Sequence, residues 1–169
     1  RLRQIVDLRK QKPELKVLLS IGGWGSGRFS EMAANDEYRR AFAADCDRVV
    51  KEFALDGIDI DWEYPTSSMA NISSSPDDTE NFTLLMQDIR AAIGNEKELT
   101  LATVASARYI DFKAILPSVD FVNIMAYDMA SAPKHHSALY PSGHSGDITS
   151  DGAVTAHLKA GVPPSKLVM

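Results

Sequence analysis

Apolar positions along the chain recur with two different spacings, and segments with one spacing alternate with segments that have the other. Strands are predicted at residues 16–24, 57–64, 99–105, 121–129 and 166–169, where apolar residues are consecutive or alternate with polar ones. Apolar residues spaced three or four positions apart predict helices between those strands, at residues 36–54, 77–94, 111–116 and 151–160. Regular strand–helix alternation implies a parallel sheet with helices outside it.

Two architectures fit this alternation, a doubly wound open sheet and a (β/α)₈ barrel. The glycine-rich turn GGWGSG at 22–27 lacks the G-x-G-x-x-G spacing of a dinucleotide site, and no phosphate-loop lysine follows it. We therefore favour an α/β fold of the (β/α)₈ TIM-barrel class. Such a barrel usually needs ~250 residues, and residues 1–13 have the pattern of a helix end. We expect residues 1–169 to form the central part of one such barrel.

Composition excludes several kinds of partner. The chain has 169 residues, of which 44% are hydrophobic and 24% charged, and its net charge is −5. It shows no basic patch of the kind that binds nucleic acid, and no apolar run approaches the ~20 residues of a membrane span.

Cys46 is the single cysteine, so no intrachain disulfide can form. Its helical position beside Phe42 and Val50 predicts a buried, unreactive thiol.

The segment DGIDIDWEYP at 56–65 places acids in what otherwise has the pattern of a buried strand. Because side chains alternate along a strand, three acids share one face and three apolar residues share the other. The two sets are Asp59, Asp61 and Glu63 on one side and Ile58, Ile60 and Trp62 on the other. In a barrel the helix-covered face is apolar, so the acids are expected to line the interior and to rise towards its mouth.

Three carboxyls this close cannot all ionise without a cost, so at least one pKa is expected to be raised. Glu63 lies nearest the mouth and is the candidate general acid. Asp61 can accept or share its proton, and Asp59 can hold Asp61 in place. The apolar flanks disfavour a solvated acidic face, and the spacing fails for an EF-hand calcium loop. A magnesium site for phosphoryl transfer would want a phosphate cradle and a lysine, and neither is obvious.

Other strand ends bring further candidates to the same mouth, where barrels carry their function. Gly22 and Gly23 can let the backbone approach a ligand closely. Trp24 can stack on the apolar face of a sugar ring, with plain core packing as its alternative. Strict alternation would turn Tyr64 outward unless the strand ends before Pro65. The end of the fourth predicted strand supplies Met125, Tyr127 and Asp128.

Three of the four histidines lie in one loop, and their number raises the hypothesis of a metal site. No carboxylate or thiol spacing supports that hypothesis, so we predict no bound metal. We expect His135, His136 and His144 to be solvated in the polar loop after the fourth strand, and His157 to lie on a helix surface.

Residues at three strand ends resemble the motifs of glycoside hydrolase family 18, the chitinase family. DGIDIDWEYP matches the Asp-x-x-Asp-x-Asp-x-Glu signature of that family. SIGGW at 20–24 resembles its Ser-x-Gly-Gly motif, and MAYD at 125–128 resembles its Met-x-Tyr-Asp motif. The resemblance covers essentially the whole chain, which corresponds to the third strand through the start of the seventh in that barrel.

This resemblance implies hydrolysis of β-1,4 bonds between N-acetylglucosamine units, with retention and with assistance from the substrate's own N-acetyl group. Glu63 would protonate the glycosidic oxygen and later activate water, while Asp61 would stabilise the nitrogen of an oxazolinium ion. Tyr127 would hydrogen bond to the acetyl oxygen, and Asp128 would position the distorted sugar. The resemblance implies no metal and no cofactor.

Further positions are implied by the same resemblance. Sugar subsites would be lined by Trp24, Tyr64, Met125, Gly22 and Gly23. Ser20 would support Asp59 from below, and Asp56 is expected to have a supporting role.

Two other functions stay open at this point, an endo-β-N-acetylglucosaminidase acting on N-glycans and a non-hydrolytic chitin-binding lectin. The context Trp62-Glu63-Tyr64-Pro65 and Trp24 favour chitin or chitooligosaccharides, and the presence of Glu63 argues against the lectin. A chitinase substrate implies a secreted or periplasmic protein. We expect a monomer with no nucleic-acid or membrane partner.

Overall fold

Five parallel strands form a single sheet in which their spatial order equals their order in the chain. The computed structural model describes residues 1–169, and each strand pairs with the next one along the sequence. The strands are β1 Leu18–Gly22, β2 Gly57–Asp61, β3 Glu98–Val104, β4 Phe121–Met125 and β5 Leu167–Val168. Sequential order is typical of a barrel, whereas the strand order of a doubly wound sheet reverses at a switch point.

Helices connect the strands. The α-helices are α1 Leu2–Val6, α2 Phe29–Ala33, α3 Asp36–Phe53, α4 Asp78–Ile93, α5 Phe112–Ile115 and α6 Ser150–Lys159. Short 3₁₀-helices lie at Asp7–Lys10, Met69–Asn71 and Pro164–Lys166. No helix in the structure combines the length and the apolar character that crossing a membrane requires.

Helices α3 and α6 each begin after a residue whose side chain caps the helix. The side chain of Asn35 accepts a hydrogen bond from the Tyr38 N–H at 3.0 Å at the start of α3. Thr149 does the same for the Gly152 N–H at 3.2 Å at the start of α6. Each cap satisfies a backbone N–H that has no partner within its helix.

The main core lies between the sheet and the two long helices α3 and α4. From β2 and the residue after it, the core receives Ile58, Ile60 and Trp62, all at most 2% exposed. Helix α4 contributes Phe82, Leu85, Met86, Ile89 and Ile93. The Trp62 ring stacks on Phe29 with centroids 5.4 Å apart and meets Phe82 edge-on at 5.5 Å. The opposite face of β2, which carries the acids, therefore points away from the helices.

Several element boundaries differ from the sequence-based expectation. Strands β1, β2 and β4 end at Gly22, Asp61 and Met125, before the apolar runs that predict them come to an end. Helix α2 is not predicted by periodicity, because five residues are too few to show a helical period.

His157 and Cys46 test the predicted burial of helix residues. The prediction of a surface position for His157 is wrong, because this side chain is fully buried. Its Nδ1 lies 2.8 Å from the Ala153 carbonyl oxygen, and its ring packs edge-on against Phe112. Cys46 is buried as predicted, and burial raises the pKa of its thiol to about 12.

Candidate active site

The acids of β2 and the residues after it occupy the face that the helices do not cover. Asp59, Asp61 and Glu63 are half-buried, whereas Ile58 and Ile60 are fully buried against the helices. The predicted alternation is confirmed. The acids form a row that leads to the carboxyl end of the sheet, with Glu63 two residues beyond the end of β2.

Asp59 is held by donors from three other strands. Ser20 Oγ of β1 donates to its carboxylate at 2.7 Å, and Thr100 Oγ1 of β3 donates at 2.6 Å. Asn123 Nδ2 of β4 donates at 3.1 Å. Both carboxylate oxygens of Asp59 therefore have neutral partners, and its position is fixed without a cation.

Asp61 is less well satisfied than Asp59. Its Oδ1 is buried and has no hydrogen-bond partner. Burial, together with the negative charges of Glu63 and Asp59, raises the pKa of Asp61 from 3.8 to about 6. The raised pKa expected within the acid row therefore falls on the carboxyl beside the candidate general acid.

The two glycines at the end of β1 have different roles. A Cβ on Gly22, where φ is +129°, would lie 1.9 Å from the Asp61 carbonyl oxygen, so a side chain would collide with β2. The close approach of Gly22 is thus to the neighbouring strand, which corrects the expected approach to a ligand. Gly23 donates its N–H to the same carbonyl at 2.8 Å and leaves room beside the Asp61 carboxylate.

A cleft of about 770 Å³ opens beyond the carboxyl ends of the strands, within the size range of small-molecule sites. Predicted residues that line this cleft are Trp24, Glu63, Tyr64, Met125, Tyr127 and Asp128. Asp59 and Asp61 do not line it; they precede Glu63 on the strand that leads to it. Most of the remaining wall is apolar or aromatic, which suits the faces of sugar rings.

Tyr64 faces the cleft because β2 has already ended at Asp61. Its ring meets the Trp24 ring edge-on at 6.4 Å and stacks on Tyr109 with centroids 5.3 Å apart. Burial, reinforced by the charge of Glu63, raises the pKa of the Tyr64 hydroxyl, which therefore stays a proton donor. Trp24 is 60% exposed, so core packing does not explain its position.

The loop after β4 presents Tyr127 and Asp128 at the opposite wall. Burial and the nearby charge of Asp61 raise the pKa of the Tyr127 hydroxyl, which keeps it protonated. The Asp128 N–H donates to His136 Nε2 at 3.3 Å, and His136 Nδ1 lies 3.4 Å from the Asp128 carboxylate. The expectation that His136 is only solvated is therefore incomplete.

The remaining histidines of this loop do not form a metal site. The rings of His135 and His144 meet each other edge-on at 6.0 Å. No group of three or more His, Cys, Asp or Glu side chains is arranged to hold a metal ion.

Asp56 lies at the other end of the sheet. It precedes β2, accepts a hydrogen bond from the Val17 N–H at 2.5 Å and forms an ion pair with Arg9. The support that Asp56 gives is therefore to the amino ends of the strands, and it does not contact the acid row.

Several residues of the site are not predicted from the sequence, among them Thr100, Asn123, Arg108 and Tyr109. Thr100 and Asn123 are polar residues that interrupt otherwise apolar strands at positions facing the acid row. Such an interruption in the sequence could have indicated that they belong to the site. Arg108 and Tyr109 line the cleft from the turn after β3. No period marks a turn residue, so the sequence pattern gives no indication of these two.

Strands in sequential parallel order, with helices on one face and an acidic row on the other, define an α/β domain of the barrel class with a candidate site at the carboxyl ends of its strands. A family model described as glycosyl hydrolases family 18 matches residues 1–169. The chain belongs to this family, and the resemblance seen in its motifs is confirmed.

Solved structures and curated relatives agree with the family model. The chain is 40% identical to the chitinase domain of the spore coat protein CotE from Clostridium difficile, with a TM-score of 0.94. It is 39% identical to a family 18 N-acetylglucosaminidase from Paenibacillus barengoltzii, with a TM-score of 0.92. Chitinase A1 of Niallia circulans is 35% identical. These likenesses confirm the predicted (β/α)₈ barrel class.

The chain spans only part of each of these proteins. The alignments cover 99% of this chain, but 52% of the Clostridium structure, 54% of the Paenibacillus structure and 28% of the Niallia protein.

Proposed function

We propose that this chain carries the catalytic acids of a chitinase that hydrolyses β-1,4 bonds between N-acetylglucosamine units by a retaining, substrate-assisted mechanism. The observation that carries the proposal is the position of Glu63 in the cleft, at the end of a row in which the pKa of Asp61 is raised to about 6. Family 18 membership and the chitinase names of the relatives support the substrate class.

In the first step Glu63 donates a proton to the glycosidic oxygen, and the bond from that oxygen to the anomeric carbon breaks. The carbonyl oxygen of the substrate's N-acetyl group attacks the same carbon and forms a cyclic oxazolinium ion. Asp61 lies two residues from Glu63 on the same face and forms no ion pair, so its carboxylate can stabilise the positive nitrogen of that ion.

The second step regenerates the enzyme. The Glu63 carboxylate takes a proton from water, the water oxygen bonds to the anomeric carbon, and the oxazolinium ring opens with the original configuration retained. In both steps Tyr127 donates a hydrogen bond to the acetyl oxygen, because its hydroxyl stays protonated, and Asp128 positions the sugar. Asp59 contributes its own negative charge beneath Asp61, and the hydrogen bonds from Ser20 and Thr100 keep that charge in a fixed position.

A glutamine at position 63 tests this role, because it keeps the size of the side chain but cannot transfer a proton. In the complete protein, Glu63→Gln should lower kcat on chitooligosaccharides by roughly 10³-fold while binding persists. Glu98→Gln is the matched control, since Glu98 pairs with Lys16 at the amino end of the sheet. Equal turnover by Glu63→Gln and the natural protein would refute the proposal, and binding without release of soluble sugars by the natural protein would favour a lectin.

A second candidate is an N-acetylglucosaminidase, which is how the Paenibacillus relative is named; for this chain that candidate would release single sugars. Both reactions use the same acids, so the two candidates differ in the length of their products and not in the residues that carry out the reaction. Chromatography of the products from a chitin hexamer separates them, because single sugars indicate the second candidate and longer products indicate a chitinase. Turnover of N-glycans in place of chitooligosaccharides would indicate an endo-β-N-acetylglucosaminidase. Secretion and a monomeric state stay predictions.

A further inference from the structure

Tyr109 has an unusual backbone for an aromatic residue. It follows β3 in a turn where φ is +73° at Tyr109 and +56° at Ala107. Bulky L-residues rarely adopt this left-handed conformation, since the side chain is crowded by the backbone. Such a conformation persists where its surroundings fix it, and it is frequent at functional sites.

Two contacts hold Tyr109 in place. Its carbonyl oxygen accepts a hydrogen bond from Thr79 Oγ1 of α4 at 3.0 Å. Its ring stacks on the Tyr64 ring with an interplanar angle of 16° and centroids 5.3 Å apart. Tyr109 therefore connects α4 to the aromatic residue that directly follows Glu63.

The first turn of α4 also fixes the segment after Tyr64. Asp78, which is fully buried, accepts hydrogen bonds from the Thr66 N–H at 3.1 Å and from Ser30 Oγ at 2.7 Å. Adjacent residues of one helix, Asp78 and Thr79, thus hold the chain on both sides of the Tyr64–Tyr109 stack. The relative position of the two rings is set by a rigid element and not by the loops alone.

The geometry points to Tyr109 as a positioning residue that holds the Tyr64 ring, and with it the Glu63 end of the acid row, in its place at the cleft. This inference rests on the proposed function, since it assigns the stack a part in the reaction of Glu63. Tyr109 lines the cleft beside Arg108, so the stack also forms the wall that a substrate meets on the β3 side.

Removing the ring should misplace the acid without unfolding the protein. In the complete protein we expect Tyr109→Ala to lower kcat on chitooligosaccharides roughly tenfold, because small displacements of a catalytic group have large effects on rate. The value of KM should change less than kcat. Tyr109→Phe keeps the stacked ring and should recover most of the rate. Tyr140→Ala is the matched control, because Tyr140 is 62% exposed and does not line the cleft.

A second variant, Tyr109→Gly, separates the effect of losing the ring from any effect on the backbone conformation. Tyr109→Gly accepts a positive φ without steric cost and removes only the ring, so the turn stays intact even if the alanine variant is unstable. We expect it to lose kcat as Tyr109→Ala does, with a thermal midpoint close to that of the natural protein. Full activity of Tyr109→Gly would overturn the inference.

A double mutant tests whether the effect passes through Tyr64. If it does, Tyr64→Ala combined with Tyr109→Ala should be no slower than Tyr64→Ala alone; strictly multiplicative losses would overturn the inference. Failure of the proposed function looks different, because in that case Glu63→Gln itself would retain full turnover.

Discussion

The two ends of this sheet use carboxylates in opposite ways. At the amino ends, Asp120 precedes β4, accepts the Leu99 N–H at 2.7 Å and pairs with Arg90 Nη2 at 2.5 Å. Its own N–H donates to the Leu99 carbonyl at 2.8 Å. Asp56 has the same arrangement before β2: it exchanges backbone and side-chain hydrogen bonds with Val17, which directly precedes β1, and its cation is Arg9.

Towards the carboxyl ends, no ion pair involves Asp59, Asp61 or Glu63, the three acids of the row. Asp59 has three neutral donors, and Asp61 has an oxygen with none. An acid paired with arginine and a backbone N–H joins strands, and it is not free to exchange a proton. Burial, together with the charges of two neighbouring acids, raises the pKa of Asp61, which suits this carboxyl to proton chemistry. The comparison separates acids that join strands at one end from acids proposed to take part in catalysis at the other.

The largest effect expected from this comparison of the two ends is a loss of turnover on substitution of Asp61. Asp61→Asn keeps the shape but removes the charge proposed to face the oxazolinium ion, so kcat should fall by roughly 10²-fold or more. Stability at neutral pH should be unchanged or higher, because the charge is held in an unfavourable place. Steady-state kinetics and urea unfolding check the two parts; a stability loss as large as that of an amino-end variant would contradict the distinction.

The converse effect is expected at Asp120. Asp120→Ala leaves the Leu99 N–H and the largely buried Arg90 guanidinium without their acceptor, so the free energy of unfolding should fall by about 2 kcal/mol. The kcat of the folded protein should not change. Urea unfolding measures the first quantity, and Asp120→Asn, which keeps an acceptor, should recover part of the loss. An unchanged urea midpoint would show that this end of the sheet does not depend on its ion pairs.

Much of this arrangement could be predicted from the sequence. The alternation of apolar and acidic residues along β2 is sufficient to assign its two faces. The strand–helix rhythm fits two architectures, and the lack of a dinucleotide fingerprint at 22–27 is what favours the barrel class. Strand ends could not be placed well, because the residues that line a sugar-binding cleft are themselves apolar or aromatic. Trp24 and Tyr64 extend the apolar runs although they belong to loops.

The parts that could not be predicted depend on contacts between distant segments. The ring of Tyr109 stacks on Tyr64, which lies in another loop. His157 can be buried because its Nδ1 lies within hydrogen-bond distance of the Ala153 carbonyl oxygen and its ring packs against Phe112. A short helix with few strongly apolar residues does not reveal which of its faces will be covered.

A smaller effect is expected in the pH dependence of stability. The folded pKa of Asp61, about 6, lies above its ordinary value of 3.8, so the folded state binds more protons between these values. Stability from this group therefore falls as pH rises through that window. Burial lowers the pKa of His157, which has the opposite sign, because the unfolded state then takes up the proton as pH falls below the ordinary 6.5.

The two contributions overlap, so the difference between the natural protein and Asp61→Asn isolates the carboxyl. Urea unfolding across this range should show Asp61→Asn gaining stability relative to the natural protein as pH rises from 4 to 6. Asp147→Asn, in the loop before α6, is the control for a generic loss of charge. A difference that does not vary with pH would mean that Asp61 is not held at a raised pKa.

The smallest effect concerns Asp59, the one acid that shares features of both ends. Both of its carboxylate oxygens accept hydrogen bonds, as in the amino-end acids, but the donors are neutral groups and the residue belongs to the acid row. Thr100→Val removes one donor at 2.6 Å and keeps the side-chain shape, so the free energy of unfolding should fall by about 1 kcal/mol. If Asp59 also fixes the charge beneath Asp61, kcat should fall several-fold in the same variant. Thr103→Val serves as the control, since this buried hydroxyl has no partner and points to the other face. A loss of stability without any loss of rate would place Asp59 with the structural acids, and the boundary between the two ends would then lie between Asp59 and Asp61.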